Sequence, residues 1–111
     1  MAVLSKAMEL KEAFGRVFLR LRLRKGLSQE DFHDVATDRY IRNLEKGRAS
    51  PTVEMLFALS DVLCVSPAML MVLTNAEVDG ASETKAFRAL ALELSAYLDK
   101  ANDSSTTVNI D

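Results

Sequence analysis

SQEDFHDVATDRYIRNLEKG, residues 28–47, reads as two short helices folded across a tight turn. Ser28 is an N-cap residue whose hydroxyl satisfies a free amide of the first turn, while Glu30 and Asp31 set negative charge against the positive end of the helix dipole. Phe32 and Val35, three apart, make an inward stripe. Thr37 or Asp38 caps the second helix, in which Ile41 and Leu44 repeat that spacing, and Gly47 closes it where a left-handed residue costs a glycine least. With roughly 100° of rotation per residue, turning Ile41 and Leu44 inward leaves Arg39, Arg42, Asn43 and Lys46 on the solvent side. Arginine suits guanine edges and phosphates, asparagine suits adenine edges, and a helix fits the major groove. A solvated surface helix carries similar residues, so the pattern alone leaves both readings open.

Upstream, periodicity predicts a helix over residues 5–25 with Leu10, Phe14, Val17 or Phe18, and Leu21 on its core face. Arg16, Arg20 and Arg24 recur every fourth residue as a like-charged stripe, either a solubilising face or one that lies beside a phosphate backbone. Downstream, residues 47–51 form a turn-rich loop. Thr52 caps a helix whose Val53, Leu56, Leu59 (or Ser60) and Leu63 face inward. Ser66, followed by Pro67 at the first helical position, starts another that runs to about residue 74. Residues 75–81 are a polar connector. Ser82 then caps a helix over 82–100 with Phe87, Leu90, Leu94 and Tyr97 on one face. Residues 101–111 are a polar tail, flexible by composition, in which 106–110 have a weak strand pattern.

Few glycines and prolines and few β-branched runs favour an all-α fold, and 111 residues suffice for one small domain with a modest core. Apolar residues make up 49% of the chain, enough to exclude disorder. No run of eighteen apolar residues exists and the N-terminus lacks a signal-peptide pattern, so no membrane role is expected. A single cysteine allows no internal disulfide and suggests a cytoplasmic setting. Net charge is only −2, but residues 1–50 hold eleven Lys/Arg against seven Asp/Glu, a balance of +4, and residues 51–111 hold three against nine, a balance of −6. Only the first half is suited to face phosphate.

LRLRKGLSQEDF, YIRNLEKG and SPTVEMLFALSDVLCVSPAML, in that order, resemble the Cro/Xre-type helix-turn-helix domain of lambda-repressor-like regulators. The resemblance covers residues 14–73. It implies a five-helix bundle with the helix over 82–100 added to it, and a DNA-binding domain over 1–74. It also implies double-stranded DNA as partner, a nucleoid-associated cytoplasmic homodimer, and repression from an inverted-repeat operator. By the same resemblance Asp38, Arg39 and Asn43 read bases. Ser28 and Gln29 hold phosphates, and Thr37, Tyr40, Arg42, Lys46 and Arg48 supply backbone or supplementary contacts. Arg22 pairs with Glu45 to lock the first helix to the recognition helix. Leu19 and Leu23 form a second apolar stripe that such a domain leaves wet, and the 82–100 helix is the candidate to cover it, in the same chain or across a dimer.

Two departures from that pattern stand out. The turn at Val35-Ala36-Thr37 is about two residues short and lacks a glycine, which bears on the base-reading register. Cys64 stands where relatives commonly have a glycine; a left-handed cysteine costs roughly 1–2 kcal/mol, so a different helix end and a buried, structural thiol are expected. Catalysis has little support: the four glycines are isolated, one His and one Cys make no zinc site of the usual kind, and His33 with Ser28 lacks a pocket and oxyanion donors. No catalytic residue, metal or cofactor is expected. The rival class is a protein-interaction module of the same fold, such as an antitoxin or adaptor, suggested by the acidic second half.

Overall fold

The computed structural model describes residues 8–105, which form five α-helices and one 3-10 turn, without a strand among the described residues. In chain order they are α1 (Leu10–Arg24), the 3-10 turn Gln29–Phe32, α2 (Asp38–Glu45), α3 (Val53–Leu63), α4 (Pro67–Asp79) and α5 (Glu83–Ser105). α1 is the spine: Phe14, Val17, Phe18 and Leu21 are buried on one face, against Phe32, Ile41, Leu44, Leu59, Leu63 and Leu70 from the other elements. The Phe18 ring lies 6.4 Å from Phe14 and 5.1 Å from Phe32. Each such side chain withdrawn from water contributes about 1.5–3 kcal/mol, enough to hold elements too short to persist alone. At Gly15 α1 touches the last turn of α2 so closely that a methyl group would run into the carbonyl oxygen of Leu44.

Except for α1, whose N-cap residue Glu9 makes no side-chain cap bond, each entry is capped by a hydroxyl. Ser28 accepts from the Asp31 amide at 3.3 Å while Asp31 accepts from the Ser28 amide at 2.7 Å, a reciprocal box. Thr37 accepts from Tyr40, Thr52 from Met55, Ser66 from Met69 and Ser82 from Lys85, all within 3.0–3.1 Å. α2 ends on Gly47 at φ 74°, with the Arg48 amide returning to the Asn43 carbonyl at 2.8 Å.

Several expectations are corrected. The first helix starts at Leu10 rather than at residue 5, residues 5–7 lying outside the described part, and Leu10 is 66% exposed because it sits on the open first turn. The first helix of the 28–47 pair shrinks to four residues of 3-10 turn; the Val35 and Ala36 amides both return to the Phe32 carbonyl at 2.9 Å, so the short segment closes at once instead of completing an α-helix. Val53 opens α3 on its solvent side and is exposed. α4 continues through Asp79, making residues 75–79 helical rather than connector. α5 reaches Ser105, so the polar tail is helical as far as the structure describes it; the strand pattern at 106–110 lies outside the described residues. Within one chain α5 does not cover Leu23 of the second stripe of α1, while Leu19 is half-buried. α5 packs on α4, and Leu23 remains 61% exposed.

Cys64 is corrected twice. It is the left-handed residue after α3, at φ 59° and ψ 41°, and its side chain is exposed. α3 keeps the same closing pattern as α2, with the Val65 amide bonded to the Ser60 carbonyl at 3.1 Å, at the cost of strain in a residue with a Cβ. Cys64→Gly is therefore expected to stabilise the fold by about 1 kcal/mol, a rise in Tm of roughly 4–8 °C by calorimetry. An unchanged or lower Tm would contradict a strained closure.

Candidate nucleic-acid interface

α2 has eight residues, and its placement is dictated by what it buries. Ile41 and Leu44 are fully enclosed, which turns Arg39, Arg42 and Lys46 outward as exposed side chains, with Arg48 just beyond the helix end also exposed. Asp38, Tyr40 and Asn43 are half-buried at its flanks, and Thr37 caps it. Burial pushes the Tyr40 phenol above its ordinary pKa, so it remains a neutral hydroxyl near neutral pH.

Behind this face stands a nearly buried ion pair. Arg22 Nε donates to Glu45 Oε2 at 2.6 Å and its Nη2 donates to Oε1 at 3.1 Å, while Nη1 donates to the Leu27 carbonyl at 2.9 Å. Gln29 Nε2 adds a further bond to Glu45 Oε1 at 3.0 Å. One carboxylate thus ties α1, the 3-10 turn and α2 together in the bidentate geometry that arginine favours. Sequence reasoning missed the Gln29 bond, because a side chain sixteen residues from its partner leaves no periodic trace. It directs the Gln29 amide inward, and the Ser28 hydroxyl is likewise engaged, donating to Asp31 Oδ2 at 3.1 Å.

The arginine stripe divides. Arg20 reaches Glu77 on α4 at 3.1 Å and Glu83 on α5 at 3.7 Å, and Arg16 pairs with Glu12 at 3.5 Å. Arg16 also lies 3.9 Å from Glu77, so carboxylates of the acidic half meet both cations on the side of α1 that carries α4 and α5. Four carboxylates, Glu30, Asp31, Asp34 and Asp38, lie in the chain between the start of the 3-10 turn and the first residue of α2. His33 lies among them fully exposed; its Nδ1 donates to the Glu30 carbonyl at 2.8 Å, and that bond, then Asp34 and Asp38, raise its pKa above the ordinary value. Any stability its charge lends is present below the ordinary histidine pKa and is lost as pH rises through the raised folded value. Among the described residues no group of three or more His, Cys, Asp or Glu is arranged to hold a metal.

A short capped helix, clamped from behind and basic in front, defines a helix-turn-helix unit. The helix-turn-helix family model matches residues 19–70. An HTH-type transcriptional regulator of Sinorhizobium fredii, y4dJ, itself described as uncharacterized, is 37% identical over 70 residues, covering 61% of this chain and 91% of that protein. The chain belongs to the Cro/Xre-type helix-turn-helix family, a family of DNA-binding transcriptional regulators. Two crystal structures of the clp gene regulator ClgR from Corynebacterium glutamicum share the fold. One is 23% identical with a TM-score of 0.61, over 65% of this chain and 95% of that one. The other is 22% identical with a TM-score of 0.62, over 86% and 96%.

Removing one partner of the clamp leaves a charge stranded in a nearly closed site. Glu45→Ala is expected to cost about 3–5 kcal/mol in urea denaturation. A loss below 1 kcal/mol would show that water readily replaces the carboxylate.

Proposed function

We propose that this protein binds specific duplex DNA by laying α2 in the major groove, and that it does so as a homodimer on an inverted-repeat operator, acting as a repressor. The carrying observation is the division of α2: Ile41 and Leu44 lie wholly in the core, while Arg39, Arg42 and Lys46 stand free in solvent. Arg39 and Asn43 offer donors and acceptors for purine edges, and Asp38 offers an acceptor for a cytosine amino group. Thr37, Tyr40, Arg42, Lys46 and Arg48 serve the phosphates or add supplementary contacts. Ser28 and Gln29, at the start of the 3-10 turn, would hold phosphates; the Ser28 amide and hydroxyl and the Gln29 side chain are engaged by Asp31 and Glu45, so a phosphate contact there exchanges one of those bonds. Two copies place two α2 helices about 34 Å apart, one duplex turn. Occupation of a promoter then excludes polymerase by simple bulk. The site of action is the nucleoid in the cytoplasm; no single helix among the described residues is long and apolar enough to cross a membrane.

Arg39→Ala is expected to weaken binding to a selected duplex by about 1–3 kcal/mol and to relax preference at one base pair, leaving random duplex little affected, as read by fluorescence anisotropy. Equal losses on both duplexes would reduce Arg39 to a phosphate contact. Affinity for random duplex that does not fall with added salt would favour the protein-interaction reading instead.

A further inference from the structure

α5 stands away from the bundle. The chain has a radius of gyration of 17.0 Å, against about 13 Å for a compact domain of this length. Between α4 and α5 opens a cleft of about 1180 Å³, walled by Met71, Val72 and Val78 on one side and Ala86, Ala89 and Leu90 on the other. A helix about 10 Å wide and ten residues long has a similar volume. Continuing from the cleft wall at Leu90, Phe87, Leu90, Leu94, Tyr97 and Leu98 fall within roughly 100° of one face of α5, and all are 41–67% exposed. One edge of that face carries Glu93 and Lys100, two turns apart and both exposed, with no ion-pair partner among the described residues.

We infer that the cleft and this face receive a second copy of the chain, whose own α5 lies antiparallel to the first; the inference rests on the homodimer reading and names its surface. Charge selects the direction. Antiparallel pairing sets Glu93 of each copy against Lys100 of the other, two opposite-charge contacts related by the two-fold axis. Parallel pairing instead sets like beside like. The antiparallel register also brings Leu94 of one copy to Tyr97 and Leu98 of the other, and lays residues 98–101 of each along residues 92–95 of its mate, where Leu92 and Glu93 line the cleft. The arrangement is isologous and closes on itself, as a two-fold dimer requires. The Arg20 contacts to Glu77 and Glu83 anchor the base of α5 and hold the cleft open at its observed angle.

The test is charge reversal in the full chain, read by sedimentation equilibrium. E93K alone and K100E alone each turn both contacts repulsive and raise the dimer dissociation constant about tenfold, and the double variant returns it to within about threefold of the parent. Leu94→Asp raises it at least a hundredfold. Circular dichroism verifies that these exposed substitutions leave the fold intact. Three results overturn the inference: a dimer indifferent to both single reversals, a double variant no better than the singles, or a parent chain that stays monomeric at every concentration. Binding of the same variants to a single half-site duplex separates the questions, since retained half-site affinity leaves the reading of α2 standing whichever way the dimer result falls.

Discussion

The carboxylate of Glu45, held by Arg22 from α1 and by Gln29 from the 3-10 turn, is the constraint on which the rest depends. An eight-residue helix has no stability of its own in water, so α2 exists only where tertiary contacts place it. Ile41 and Leu44 fix which side faces inward, and the close approach at Gly15 fixes its depth against α1. The clamp then sets its rotation and its angle to the 3-10 turn. Arg39 and Lys46 point outward as a consequence of this anchoring. The family's DNA-binding activity thereby follows from packing: a rod becomes a reading head when its rear face is immobilised.

Charge is sorted by the same architecture. Arg16 and Arg20 lie on the side of α1 that carries α4 and α5, where Glu77 and Glu83 neutralise them. Among the described residues, the basic side chains of α2 and of the loop after it make no such ion pair. A chain with net charge −2 therefore presents a basic surface on α2. The carboxylates around His33 border that surface at one end and penalise a phosphate approaching there, which narrows the ways a duplex can lie across it.

Much of this was legible in the sequence because it is governed by local chemistry. Ser28, Thr37, Thr52, Ser66 and Ser82 each announce a helix start through a hydroxyl that satisfies an amide three residues on, and all five do so. Ile41 and Leu44 were legible through their spacing. The pairing of Arg22 with Glu45 came only from the family resemblance, since periodicity carries no information on which helices meet. Leu10 and Val53 were misread because a periodic pattern does not reveal that the first turn of a helix often lies beyond its neighbours. Cys64 was misread on a local penalty of about 1–2 kcal/mol that the surrounding fold overrides. The direction of α5 was hidden for a different reason: an amphipathic face states that something covers it without naming what.

The most direct test of the account is amide chemical-shift mapping of the full chain during titration with a duplex selected from a random pool. The account predicts perturbations concentrated on α2, on Ser28 and Gln29, and on Arg48, with α4 and α5 unmoved. Perturbations centred on α4 and α5, with Arg39 and Asn43 silent, would contradict it.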